Sequence, residues 1–380
     1  MTPRQLAESQ QYGRLGLVCS LADKALDVAF LATAAFLLAR PLDDWLTDCP
    51  ILDGCWSLRL LVLYLVVFLL HLCVSFPLSC YSGHTLEHRF GLSKQTFGGW
   101  LWRYAKGNTL AAVLMAAMVL GLYWLIWTTA AYWWLIAAGA FFVVSVLLGQ
   151  LVPVLILPLF YKIERLDDAD LAGRLERLSE GTGLSIEGVY RMALSEETVK
   201  ANAMLAGLGR TRRVLLGDTL LDHFTPDEIE AIFAHEIGHH VFGHIRKLIV
   251  AGFFFSLAGL FVCDRMLQIS VSGWDGDYAK FPVYALPAVM LILTIFNMLL
   301  EPLQNAISRH FERQSDRYAL ERTGRREAYL SAFEKLAVLN KDDPDPPWLD
   351  VFLFHGHPPI AQRLAIADRE TWRATKRGRG

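Results

Sequence analysis

The chain has 380 residues, of which 54% are hydrophobic and 12% aromatic, with a formal net charge of −2 at pH 7. A soluble domain runs nearer to about 45–50% apolar, so this is not the composition of an ordinary water-soluble globule. With no basic excess there is also no case for a nucleic-acid partner.

The apolar residues fall in blocks. A spanning helix needs about 20 mostly apolar residues, and six stretches qualify: 16–39, 58–80, 108–128, 131–157, 247–263 and 282–300. The first is the weakest, because Asp23, Lys24 and Asp27 lie in it. The third and fourth are joined by only a few residues and read as an antiparallel pair. Packed as core helices of a soluble protein, these runs would leave no polar face for water. The 40–57 loop is acidic (Asp43, Asp44, Asp48 and Asp53 against Arg40), and 264–281 is short and mixed. The 81–107 loop carries Arg89, Lys94, Arg103 and Lys106, and the chain ends KRGRG. Lys and Arg mark cytoplasmic loops, so both termini, the 81–107 loop and segment 158–246 are expected in the cytoplasm. Arg4 and Arg14 precede the first span without a small-residue cleavage site, so no cleavable signal is expected. Cys49 and Cys55 flank PILDG in an outer loop, either as a disulfide or as two free thiols. The other cysteines, Cys19, Cys73, Cys80 and Cys263, read as packing residues.

Residues 158–246 form the largest polar block. The 168–181 stretch has helical periodicity, and GLSIEGVYRMAL, TVKANAMLAGLG and RTRRVLLGDTLL look like short strands between Gly-containing turns. Next comes TPDEIEAIFAHEIGHHVFGH. Thr225 and Glu228 make a capping box with Pro226 at the first helical position. The spacing predicts a helix from Thr225 through the histidine cluster.

Successive residues on a helix turn by about 100°, so i and i+4 share a face. His235 and His239 therefore point the same way, and Glu236 sits one step round. On a continuous helix His244 falls nearly opposite His235, and His240 lies off the axis of the pair. The first two histidines are thus the expected metal ligands and the last two are not. HExxH on a helix is the zinc-protease signature: two imidazoles bind the ion, a third protein ligand is needed, and water takes the open position. Glu236 is placed to accept a proton from that water and pass it to the leaving amine. The helix 305–320 offers Glu312 and Asp316 four apart on one face. Glu312 is expected as third ligand and Asp316 as the acceptor orienting a ligand histidine. Against this, Arg309, Arg313 and Arg317 would also suit an ordinary charged helix, and Glu301 is an alternative ligand or a cavity-lining residue.

HEIGHHVFGH (235–244) with SRHFERQSD (308–316) resembles the integral-membrane zinc endopeptidases typified by the type I CAAX prenyl protease. LEHRFGLSKQT (86–96), PLFYKIERL (158–166), NAMLAGLGRTRRVLLGDTLL (202–221), KLAVLNKDD (335–343) and HGHPPIAQRL (355–364) extend the resemblance over most of the chain, in family order. The resemblance implies that His357 and Arg363 lie near the zinc, polarising the scissile carbonyl or holding the peptide. It implies that Asn202, Ala203, Met204 and Leu205 form an edge strand that pairs with substrate. It also implies a chamber walled by the membrane helices. Two features depart from the family pattern: six spans rather than seven, an N-terminal one being absent, and Ala201 where a serine precedes the asparagine.

The expected molecule is thus an α-helical integral membrane protein, with about six transmembrane helices enclosing a chamber and a cytosolic zinc-metalloprotease α+β domain. Its parts are 1–157 (four spans), 158–246 (small sheet and HExxH helix), 247–303 (two spans) and 304–380 (helices with the third ligand). One Zn2+ per chain is expected, acting on a peptide or protein substrate, prenylated or membrane-bound, in a lipid bilayer. That bilayer is expected to be a bacterial inner membrane or, failing that, the endoplasmic reticulum. Prenylated CAAX-type peptides and damaged membrane proteins both remain open as substrates. Two other classes compete: a transporter or channel with a closed structural zinc site, and an inactive peptide-binding scaffold.

Overall fold

The computed structural model describes residues 1–52, 54–207 and 212–377, with side chains described up to 368. Asp53 and the side chains of the basic tail, both used above to orient the chain, lie outside the described residues. Helix α1 (Pro3–Thr33) opens with a capping box between Thr2 and Gln5. It continues without a break into the short helix Ala39–Thr47. Helices α2 (Trp56–Cys80), α3 (Phe97–Thr129) and α4 (Trp133–Leu151) follow.

Among the described residues, five helical stretches are long and apolar enough to cross a membrane. One of them, Phe97–Phe160, has 64 residues. Straight, it would run about 96 Å, three times the roughly 30 Å hydrocarbon core. It turns back at Ala130, whose φ of 46° no helix continues, so α3 and α4 pack as an antiparallel pair. With α7 (His244–Ser270) and α8 (Leu286–Thr323), and α3 and α4 taken separately, six helices among the described residues are candidates to cross. Their outward faces carry Leu69, Val113, Trp124, Leu147, Phe254 and Leu299 exposed, as a surface facing lipid should.

The charges that weaken the first span have partners. Lys24 pairs with Glu301 of α8 at 2.6 Å, and Asp27 meets His71 of α2 at 2.8 Å. Paired and turned toward neighbouring helices, they are tolerable at membrane depth. At one end of the bundle, Asp264 accepts from Trp133 Nε1 and from the Tyr278 hydroxyl, both at 2.7 Å, and Arg59 pairs with Asp43. At the opposite end, Lys200 pairs with Glu87 and Lys341 with Glu8. A bridge there joins Ser93 to Thr198. The N-terminus and the 81–107 segment therefore share a side with the polar domain. All six cysteines are free thiols, Cys49 and Cys55 included.

The polar domain holds a four-stranded sheet in the order β1-β2-β4-β3 (Ile163–Arg165, Gly188–Met192, Arg213–Gly217, Ala203–Ala206). β2 and β4 are parallel and the other pairs antiparallel. Helices α5 (Ala169–Ser179) and α6 (Pro226–Val241) cover it, with Leu175, Val214, Leu216, Phe233 and Ile237 in the core between them. Helices α9 (Arg326–Asn340), α10 (Trp348–Phe354) and α11 (Ile360–Arg377) complete the chain.

Candidate metal centre

Helix α6 begins at the predicted cap: Thr225 Oγ1 accepts from the Glu228 N–H, and Glu228 accepts in return from the Thr225 N–H at 2.7 Å. One face of α6 lies against α8. The approach is close because position 238 is glycine: a Cβ there would fall 2.9 Å from Ser315 Cα. Gly238→Ala must therefore push the two helices apart. The expected cost is about 1–3 kcal/mol, with weakened metal retention, read from thermal melting and metal content in detergent. Wild-type values in both would show that the contact is slack.

This close packing brings three ligand atoms together. The Nε2 atoms of His235 and His239 are 3.2 Å apart, and Glu312 places Oε2 3.2 Å from the first and Oε1 3.2 Å from the second. A tetrahedral ion with metal–nitrogen bonds of about 2.0–2.1 Å holds two nitrogens about 3.3 Å apart, so the spacing fits. Glu312 Oε2 is buried without a hydrogen bond of good geometry, although His357 Nδ1 comes within 2.7 Å. Burial would pull the His235 pKa down, but its hydrogen bonds to Asp316 and Glu312 outweigh that and raise it to about 9. Two carboxylates converging on one buried and one partly buried imidazole call for a cation. Among the described residues no fourth side chain joins the group, which leaves the open position that a closed structural site lacks.

Behind the ligands, His235 Nδ1 donates to Asp316 Oδ1 at 2.9 Å. Arg363 grips the same carboxylate with two bonds, Nε to Oδ2 at 3.0 Å and Nη2 to Oδ1 at 2.6 Å, and stacks 4.0 Å over the Phe333 ring. Its guanidinium is buried and turned to Asp316. His357 is 70% exposed at the mouth of the site. Its loop is pinned by α8: Arg309 donates to the carbonyls of Val351 and His355, and Asn305 to that of Leu353. Arg309 is thus a loop anchor, a role hidden in the sequence because its acceptors are backbone carbonyls some 40 residues away. Glu301 pairs with Lys24, away from the ligand group.

Glu236 is half-buried and lines a cleft of about 580 Å³ together with Asn202, Ala203, His357 and Arg363. Among the described residues nothing ties its carboxylate. The cleft runs along the small residues Gly13, Gly16 and Ser20 of α1. Met204 and Leu205 continue the edge strand β3 from Ala203. His240 lies elsewhere, beside Thr182 and Arg246.

His244 departs from the helical-wheel expectation. Gly243 takes a left-handed φ of 65° and ends α6, so the next residue swings back. His244 becomes fully buried, with its Nδ1 3.2 Å from that of His239. The signal for this was the Gly243 of HVFGH, a residue that commonly closes a helix.

A cleft that joins three side chains able to hold a metal, an untied carboxylate and an open sheet edge, at the end of a multi-pass bundle, points to a membrane metalloendopeptidase. Sequence comparison makes this specific. Residues 165–371 match peptidase family M48, and residues 1–162 match the family described as the CAAX prenyl protease N-terminal region, five membrane helices. The chain belongs to the M48 peptidases of the CAAX prenyl protease type. It is 29% identical to the uncharacterized metalloprotease YhfN of Bacillus subtilis, over 97% of this chain and 87% of that one. It is 30% identical to CAAX prenyl protease 1 of Saccharomyces cerevisiae, over 78% and 69%. The crystal structure of S. mikatae Ste24p shares the fold, with a TM-score of 0.80 at 24% identity, covering 97% of this chain and 89% of that one.

Proposed function

We propose that the chain is a zinc endopeptidase that cleaves peptides lying along β3 on the cytosolic face of a bacterial inner membrane. The observation that carries this is the convergence of His235 Nε2, His239 Nε2 and Glu312 within 3.2 Å of one another, beside the untied carboxylate of Glu236. Bound there, zinc supplies Lewis acidity, lowering the pKa of a water towards 7 and polarising the scissile carbonyl. Glu236 takes up the proton of the attacking water and delivers it to the leaving amine. His357, exposed at the mouth, donates to the carbonyl oxygen as charge develops. Asp316 and Arg363 act behind the ligands, holding His235 in the tautomer that presents Nε2. The cytosolic assignment rests on Arg89, Lys94, Arg103 and Lys106, which lie on the side of the site. The bacterial assignment rests on the near full-length match to the Bacillus protein.

Capture of substrate falls to the free edge of β3, by strand addition. Gly217 donates to the Asn202 carbonyl at 2.9 Å, so by antiparallel alternation the backbone of Ala203 and Leu205 points away from β4. Ala203→Pro removes one outward donor and leaves the ladder to β4 intact. It is expected to lower kcat/KM about tenfold, one hydrogen bond to an otherwise unsatisfied group. An unchanged kcat/KM on a peptide substrate would remove β3 from the capture mechanism.

For substrate class we favour a lipidated C-terminal peptide of the CAAX type, the class named for the yeast relative. A second cavity of about 420 Å³ between α4, α7 and α8, lined by Phe141, Phe255, Leu260, Leu293 and Phe296, supplies an apolar lining at membrane depth. The test compares a farnesylated CAAX peptide with its unprenylated twin, products being read by mass. Preference for the lipidated peptide supports this class. Equal cleavage assigns the enzyme to general clearance of membrane proteins.

A further inference from the structure

We propose that His244 and Gln314 form a positioning pair that fixes which nitrogen of His239 faces the metal. This rests on the metal-centre reading above and extends it to two residues outside the ligand set.

The nitrogens are placed in a directed chain. Gln314 Nε2 lies 3.1 Å from His310 Nε2 and donates to it, which turns Gln314 Oε1 towards His244. That oxygen only accepts, and His244 Nε2 is 2.9 Å from it, so His244 carries its proton on Nε2. Its Nδ1 is then a lone pair, 3.2 Å from His239 Nδ1. His239 must donate from Nδ1, and its Nε2 is left unprotonated, facing His235 Nε2 and Glu312. A neutral imidazole has one donor and one acceptor nitrogen, so fixing one end of the chain fixes the other.

The ring of His244 is also held in place. It stacks on Phe311 at 4.2 Å and 9°, and Phe311 is the neighbour of Glu312 on α8. Phe242 closes the other flank at 5.6 Å. Burying an imidazole completely is costly unless both nitrogens are satisfied. If packing were the only need, phenylalanine would fill this space without that cost. The left-handed Gly243 is what carries the ring back to His239.

The two ligand histidines thus have acceptors of different charge. His235 has the Asp316 carboxylate, itself neutralised by Arg363. His239 has a neutral imidazole. A second carboxylate in that place would add a negative charge beside Glu312 and Asp316. The neutral acceptor orients the ligand and leaves the metal its Lewis acidity.

The experiment measures the zinc dissociation constant of the purified full-length protein in detergent, by competition with a chromophoric chelator. His244→Phe keeps the stack and removes the acceptor. It is expected to bind zinc 10–100-fold more weakly, the usual effect of losing such a partner, while the zinc-free protein melts as wild type does. His244→Asn, whose Oδ1 can stand where Nδ1 stood, is expected to recover most of the affinity. Gln314→Leu should weaken zinc in the same direction, and the double variant should be no weaker than His244→Phe alone, because the amide acts through the ring. A folded His244→Phe with wild-type affinity, or a His244→Asn as weak as His244→Phe, overturns the proposal and leaves packing as the role of the ring. If the wild-type protein binds no zinc, the metal-centre reading has failed instead, and the two failures are distinct.

Discussion

Glu236→Gln retains its metal and loses peptide hydrolysis by a factor of about 10²–10⁴, the usual contribution of a positioned general base. The side chain follows His235 on α6, lines the cleft, and has no hydrogen bond or ion pair among the described residues. Glutamine has its shape and cannot take a proton. Zinc content, zinc affinity and melting temperature should stay at wild-type values, because glutamine keeps the shape of a side chain that makes no hydrogen bond or ion pair among the described residues. The loss belongs to kcat. Turnover within about threefold of wild type would place the base elsewhere in the cleft. His357 would then be the next residue to test, since it is the exposed titratable group beside Glu312.

Glu312→Ala has the second large effect, on affinity. Removing the carboxylate leaves two imidazole nitrogens 3.2 Å apart and no third protein ligand. The loss should exceed the roughly hundredfold ceiling typical of residues that only orient a ligand. Mass spectrometry of the metal and chelator competition both report it, and full zinc occupancy would show that the third ligand has been misassigned. A pH titration sharpens the test. In the metal-free wild type His235 has its pKa raised to about 9, so proton and metal compete for it. Zinc affinity should fall about tenfold for each pH unit below that value and flatten above it. In the alanine variant one of the two carboxylates that raise the His235 pKa is gone, so the same fall should begin at lower pH.

The parts of this site that were legible in sequence are those governed by local geometry. Thr225, Pro226 and Glu228 fixed the start of α6, and the four-residue spacing of His235 and His239 fixed its working face. Glu312 and Asp316 could be paired for the same reason, since both lie on one helix one turn apart. Each hydropathy block falls almost wholly within a helical stretch long and apolar enough to cross a membrane. What escaped was set by single backbone turns or by long-range contacts. His244 was placed opposite the metal because the wheel assumed a helix that Gly243 interrupts. Arg309 looked like solvated charge, because nothing local shows that its acceptors are carbonyls of a distant loop. Arg363 was expected near the metal and lines the same cleft, but its pairing with Asp316, a contact between two helices far apart in sequence, was not read. Ile163–Arg165 was not read as a strand, being too short to show a strand period.

One helix, α8, carries both the last membrane crossing and Glu312, Ser315 and Asp316. From Leu286 to Glu312 it runs about 39 Å at 1.5 Å per residue. Pivoted at its far end, such a rod moves Glu312 by about 0.7 Å for each degree of tilt. That is a large fraction of a metal–ligand bond. The tilt of a crossing helix answers to bilayer thickness, so lipid composition enters the coordination sphere through the same element that builds it. The tight seam at Gly238 and the Lys24–Glu301 pair act as braces on that lever, one at the metal site and one at the end of the apolar span. In this architecture the membrane is a mechanical load on the active site as well as its surroundings.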